Sequence, residues 1–432
     1  MIAAVSLVIV LMSLCLFGVA LGTVWWMLHA WRDPETLEET GFAPEQGSPR
    51  LSFSLLVPAR HEQAVLRDTL EQLLRLDHPR FEILPIVGHD DQETAAVADA
   101  VARRHPDRVR VVVDRNWPKN KPKALNTALP LCRGDVVGVF DAEDEVDERL
   151  LRSVDRNFRA RGADVVQGGV QLVNFRSSWF ALRNCLEYFF WFRSRLHLQE
   201  RHRFIPLGGN TVFIRTDLLR SVGGWDPECL AEDCELGVRL STMGAAISVA
   251  YDPYLVTREE TPDTLWALLK QRTRWNQGFL QVLRKSEWRG LPGHRQRMLA
   301  RYTLAQPFLQ AFAGVAIPFA IVSAIVLHVP VGVALFSFLP AVVTIAMVAF
   351  EVVGLREFCR VYYVRPKLRD YVRLVLGTPL YQLMLAAAAC RAVARELRGE
   401  RGWEKTAHGG AHRGATDSGA LELARSGAAA AS

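Results

Sequence analysis

The chain has 432 residues, half of them hydrophobic (50%), and carries 52 Lys and Arg against 46 Asp and Glu for a net charge of +6. Its basic residues are scattered among nearly as many carboxylates and gather beside apolar segments, which excludes a nucleic-acid-binding stripe and fits a membrane surface. Seven cysteines without a CxxC pair argue against structural zinc or a disulfide framework and fit a reducing cytoplasm.

In chain order, Ile2–Leu28 has no charged residue and is longer than the roughly 20 helical residues that cross a hydrocarbon core. It predicts a membrane helix (residues 1–30) rather than a cleaved signal, because no basic residue precedes the run and no small-x-small site follows it. Residues 31–50, with Pro34, Pro44 and Pro49, read as a linker. An alternation then begins. Leu51–Val57, Phe81–Val87, Val109–Val113 and Val136–Phe140 are short β-rich apolar runs separated by helical patterns at Glu62–Leu76, Thr94–Arg104 and Lys123–Leu131. Such alternation predicts an α/β domain, residues 51–290, with a mainly parallel sheet covered on both faces. Ligands of such sheets lie beyond the carboxyl ends of the strands. That rule selects Pro58–Glu62, His89–Asp91, Lys119–Asn126 and Asp141–Asp144.

Further along, Ala163–Val173 predicts a strand, Trp179–Leu198 a long aromatic and basic helix of the kind found at membrane interfaces, and Phe204–Ile214 a strand pair interrupted by Gly208-Gly209. Helices are expected at Thr216–Val222, Glu232–Met243 and Asp263–Arg284. Residues 291–395 form a second membrane region: Thr303–Leu327 and Val331–Leu355 are spanning candidates, and Val372–Cys390, containing Pro379, is a weaker third. One span before the polar domain and three after it would put that domain and the basic tail (Arg391, Arg395, Arg398, Arg401) on opposite sides, against the positive-inside rule. Either the Pro379 segment is interfacial or re-entrant, or another apolar segment is not a simple span. The tail, residues 396–432, is basic and then rich in Gly, Ala and Ser, a composition expected to be disordered.

Three stretches gather the residue types that could carry chemistry. Asp141 and Glu143, two apart after the fourth strand, can face one cleft and hold Mg²⁺ or Mn²⁺ with few protein ligands; Asp144 is a substitute for Glu143. Asp233, at a helix start and preceded by Glu232, is placed to take a proton from an acceptor hydroxyl. In Gln271-Arg272-Thr273-Arg274-Trp275, Arg274 can fork onto phosphate oxygens and Trp275 offers a face for a sugar ring.

The set PARHE at Pro58–Glu62, KPKALN at Lys121–Asn126, DAED at Asp141–Asp144, LGGN at Leu207–Asn210, GGWDP at Gly223–Pro227, AED at Ala231–Asp233 and QRTRW at Gln271–Trp275 resembles the membrane-bound, processive branch of glycosyltransferase family 2, which includes cellulose-synthase-like, chitin and hyaluronan synthases. The resemblance runs from about Ser52 to Trp288, and Trp403–His408 resembles an element after the last membrane segment of cellulose-synthase-like relatives. It implies a GT-A fold that binds a UDP-sugar, with Ala59 and Glu62 by the uracil, Lys121 by the diphosphate, Asp141 with Glu143 at the metal, Asp233 as base for inverting transfer, and Gln271, Arg274 and Trp275 holding the acceptor end and diphosphate. The family commonly has Asp-x-Asp where Asp141-Ala142-Glu143 stands, and Asp-Asp-x-Ser where Gly88-His89-Asp90-Asp91 stands; Asp90 is favoured over Asp91 for the nucleotide. The expected enzyme lies in the inner membrane with a cytoplasmic catalytic domain. It extends a β-linked polysaccharide from a UDP-hexose, and the alternative is transfer of one sugar to a lipid acceptor. Partners are the donor, a glycan or lipid acceptor and the bilayer, with no nucleic acid.

Overall fold

The computed structural model describes residues 2–29 and 48–404. Most of the linker reading, and the tail reading from Lys405 onward, fall outside these residues. The first helix, α1 (Ile2–His29), precedes an α/β core. The core runs β1 (Phe53–Ala59), α2 (Leu66–Leu73), β2 (Phe81–Gly88), α3 (Gln92–Arg104), β3 (Val112–Asp114), α4 (Lys121–Ala128), β4 (Val136–Val139) and α5 (Leu150–Arg161). It continues through β5 (Val165–Gly168), β6 (Val170–Leu172), α6 (Ala181–Phe190), α7 (Leu196–Arg201), β7 (Val212–Arg215), α8 (Thr216–Ser221), α9 (Glu232–Thr242), β8 (Ile247–Ala250), β9 (Thr257–Glu259) and α10 (Leu265–Lys285).

Seven strands form one sheet in the order β3-β2-β1-β4-β7-β5-β8. All neighbours are parallel except β7, which runs against both β4 and β5. β1 and β2 are apolar and almost wholly buried, as strands covered on both faces must be. Helix starts are capped where the sequence supplies an oxygen: Asp91 accepts from Thr94 N at 3.3 Å on α3, and Asn120 accepts from Lys123 N at 3.0 Å on α4.

Three segments differ from the expectation. The run Ala163–Val173 breaks between Gly168 and Gly169, so β5 joins the main sheet while β6 pairs with β9 in a separate one. Of Phe204–Ile214 only the part from Val212 is strand. Ahead of it Gly208 N donates to Gln167 Oε1 at 2.8 Å and Gly209 O accepts from Lys121 Nζ at 2.8 Å, so side chains satisfy backbone groups that a ladder would otherwise pair. The aromatic helix is α6 and α7 joined by a π-helical turn over Trp191–Arg195.

The C-terminal helices are α11 (His294–Leu304), α12 (Gln306–Val326), α13 (Val331–Ser337), α14 (Leu339–Val361) and α15 (Leu368–Leu397). Among the described residues α1, α12, the α13–α14 run and α15 are long and apolar enough to cross a membrane. α15 is nevertheless tied to the α/β core along its whole length. Asp370 accepts from Arg176 at 2.9 Å, Thr378 Oγ1 from Arg183 at 2.5 Å, Tyr381 donates to Glu187 at 3.0 Å, and Arg395 donates to Gln277 at 3.1 Å. The opposite face shows exposed Leu368, Val372, Leu376 and Leu380 at helical spacing.

Candidate functional site

The carboxyl ends of β1 to β4, the start of α9 and the inner face of α10 open onto one cavity of about 1260 Å³. Ala59, Glu62, Lys121, Asp141, Glu143, Glu232, Asp233, Gln271, Arg274 and Trp275 all line it. Asp90 stands outside the lining and pairs with Arg60, a lining residue, at 3.0 Å. Its neighbour Asp91 is buried and accepts from His61 N at 2.5 Å as well as capping α3.

Lys121, in the first turn of α4, bonds to Asp141 and to the Gly209 carbonyl, bringing strand β4's end and the LGGN loop together. Asp144 lies beneath, accepting from Asp141 N at 2.8 Å and from Asn210 Nδ2 at 3.2 Å, so it shapes the loop from below and is turned from the cleft. Burial, then the Asp141 and Glu62 charges, push Glu143 above the ordinary carboxylate range. Carboxylates crowded in this way suit a divalent cation, whose charge relieves the repulsion. Among the described residues no group of three or more His, Cys, Asp and Glu is placed to hold a metal. Asp141 and Glu143 offer two carboxylates of the kind a hard cation takes, with Asp141 also paired to Lys121.

Asp233 sits across from this loop. Its Oδ1 accepts from Cys234 N at 2.7 Å, and its Oδ2 is 3.1 Å from where a Cβ on Gly209 would stand. A side chain at position 209 would crowd the carboxylate and press it a few tenths of an ångström aside. Burial raises both Asp233 and Glu232; on Glu232 the Asp233 charge adds to it, and Lys121 and Arg274 oppose it on both. The two carboxylates titrate as a pair. If Asp233 must be ionised to act, the acid limb of kcat/KM lies above the ~4 of a free carboxylate. Glu232→Gln removes a neighbouring negative charge and is expected to move that limb to lower pH. A limb left in place, read from a kcat/KM–pH profile, would separate the two residues.

The wall formed by α6 and α10 is aromatic and basic. Arg272 bonds to Glu187 and Asn184 and lies 4.7 Å from the Trp275 ring centroid, which fixes the indole beside Tyr188. Arg274 packs 4.5 Å over the Trp403 ring, so the segment after α15 returns to the cleft. Below this level the cavity continues between the apolar helices. It is lined as far as Leu16 on α1, Pro318 on α12 and Pro340 at the start of α14, with Arg183, Glu351 and Thr378 at the junction.

Some lining residues were not named from the sequence as site residues. Asp114, whose carbonyl accepts from Lys119 Nζ at 2.5 Å, closes β3 just ahead of the selected Lys119–Asn126 segment. Asn210 lies in the quoted LGGN. Glu259, on the separate β6–β9 sheet, bonds to Asn210 and had no signal.

A family model described as "Glycosyltransferase like family 2" matches residues 49–278. A β-monoglucosyldiacylglycerol synthase of Synechocystis sp. is 28% identical over 59% of this chain and 56% of its own length. A poly-β-1,6-N-acetyl-D-glucosamine synthase of Staphylococcus epidermidis is 24% identical over 58% of this chain and 60% of its own length. The chain thus spans under two thirds of the curated relatives it matches. Among solved structures, a mannosyltransferase from Pyrobaculum calidifontis, in complex with GDP-Man and Mn²⁺, superposes with a TM-score of 0.57 at 19% identity, covering 91% of this chain and 99% of that one. It shares the fold.

Proposed function

Since the chain belongs to glycosyltransferase family 2, we propose that it is an inverting, metal-dependent enzyme that moves one sugar from a UDP-sugar to a hydroxyl-bearing lipid held in the membrane. The observation that carries the acceptor reading is the depth of the cavity. On α1 and α12 its deepest lining residues, Leu16 and Pro318, lie near mid-helix. From Met27 to Leu16 is roughly 16 Å of helix, about half of a ~30 Å hydrocarbon core. A chamber one leaflet deep with apolar walls suits the chains of a lipid whose head group reaches Asp233; a glycan in transit needs a polar path across both leaflets. The likeness to the diacylglycerol-modifying relative favours the same reading.

The reaction then uses this chain's own groups. The acceptor oxygen bonds to the anomeric carbon, its proton passes to Asp233, and the bond to the diphosphate breaks with its electron pair leaving on the nucleotide. Lys121 and Arg274, whose charges act on Asp233, would stabilise the departing negative charge. A divalent cation at Asp141 and Glu143 would supply further positive charge to the diphosphate. Chelation of purified enzyme is expected to abolish nucleotide release and Mg²⁺ or Mn²⁺ to restore it, with Asp141→Ala unresponsive to either ion. Release that survives both treatments removes the metal from the mechanism.

The same reading assigns topology. α15, bound to the core at both ends and in the middle, lies along the membrane surface with Leu368, Val372, Leu376 and Leu380 toward lipid. α1, α12 and the α13–α14 run then form three spans, and the α/β core and basic tail share the cytoplasmic side, in accord with the positive-inside rule. Growth of a β-linked polymer is the second reading, favoured by likeness to the poly-N-acetylglucosamine synthase. A screen of nucleotide sugars followed by product sizing decides: one sugar per extracted lipid supports the proposal, and a polymer overturns it.

A further inference from the structure

The first helix has the length and composition of a plain anchor, yet one of its faces belongs to the cavity. Leu16, Ala20, Thr23 and Met27, spaced by four, three and four residues, line it together with Val19. These positions repeat on one side of an α-helix. The rotation that turns them inward is held at two points. Near the lower end, Gly22 packs so tightly under Tyr302 that a Cβ there would stand 2.8 Å from the phenol oxygen. Farther up, Ser13 Oγ donates to the Phe336 carbonyl at 2.9 Å. Leu14, 47% exposed, faces away from the cavity.

We infer that α1 is the selectivity wall of an alkyl-chain site: the face of Leu16, Ala20, Thr23 and Met27 measures the hydrocarbon chain of the acceptor lipid. This rests on the lipid-acceptor reading and goes beyond it by assigning chain-length choice to a helix outside the catalytic domain. The occupant follows from the surroundings. The face is continuous with the cleft that holds Asp233, the walls opposite it on α12 and α14 are largely apolar, and the depth is that of one leaflet. Ala20, small and midway along the face, leaves the room a chain needs. Leu16 closes the end.

The test measures sugar transfer to a short-chain and a long-chain diacylglycerol by full-length enzyme in neutral detergent micelles, using the donor that the nucleotide-sugar screen selects. The ratio of long-chain to short-chain rate is read within each variant, so a general loss of activity cancels. Ala20→Phe is expected to lower that ratio about tenfold or more, as for a pocket narrowed by several methylenes. Leu16→Ala is expected to raise it, and Leu14→Phe to leave it as in the wild type. A wild-type ratio in Ala20→Phe overturns the inference. Should that variant fail to fold, Leu16→Ala decides alone, and an unchanged ratio there overturns it equally. If the wild type labels neither diacylglycerol, the lipid-acceptor reading itself has failed and the inference with it; wild-type lipid product with unchanged ratios in both variants sinks the inference alone.

Discussion

Asp233→Asn is expected to lower sugar transfer by about 10²–10⁴-fold, the range a positioned general base contributes, while nucleotide-sugar affinity changes little. The substitution is close to isosteric. The amide oxygen of an asparagine can still accept from Cys234 N, which meets Oδ1 at 2.7 Å, so the start of α9 should hold its shape. What disappears is the only thing asparagine lacks, a lone pair basic enough to take the acceptor's proton. Neither Gly209 nor Lys121, both close to the carboxylate, can replace it: one presents backbone and the other a protonated ammonium whose pKa the neighbouring Asp141 raises. Glu232, buried beside it, is the competing base. Turnover within about tenfold of wild type in Asp233→Asn, together with collapse in Glu232→Gln, would hand the role to Glu232. Calorimetric titration with the donor separates lost chemistry from lost binding.

The site was legible because its loops follow parallel strands, and the polar residue after each such strand is visible in the sequence as a break in an apolar run. That logic reached Lys121, Asp141 and Glu143 without any geometry. It stopped at Asp90 and Asp91, adjacent residues with different duties. The spacing Asp91-x-x-Thr94 is that of a helix cap, and the structure uses it so, leaving Asp90 to pair with Arg60 at the rim. Glu259 was beyond reach for another reason: β6 pairs with β9 more than eighty residues further along the chain, and no local pattern records such a pairing. The topological conflict raised by α15 has the same origin. Hydropathy averages a helix around its circumference, whereas Asp370, Thr378 and Tyr381 lie on one side and meet partners nearly two hundred residues away. The cavity's descent to Leu16 likewise depends on how separate helices pack.

The second large effect concerns the joint between membrane and core. Arg183 on α6 makes a two-bond fork to Glu351 on α14, Nη1 to Oε2 and Nη2 to Oε1 both at 2.7 Å, and a third bond to Thr378 on α15. The side chains are 5% and 16% exposed, so both charges have left water and each depends on the other. Arg183→Ala strands Glu351 at the junction of cleft and chamber and is expected to cost about 3–5 kcal/mol, the usual penalty for removing one member of a buried pair. Because three helices meet at this guanidinium, acceptor transfer should fall as well. Replacing both residues, as Arg183→Leu with Glu351→Leu, removes the desolvation penalty along with the attraction and should recover much of the lost stability. Denaturation midpoints of the detergent-solubilised wild type, Arg183→Leu, Glu351→Leu and the double variant close the cycle, with Arg183→Ala measured alongside. A loss below about 1 kcal/mol in Arg183→Ala would mean that the pair behaves as an exposed one, and that α14 is held to the core by its other contacts, Phe358 against Phe175 and Phe189 among them.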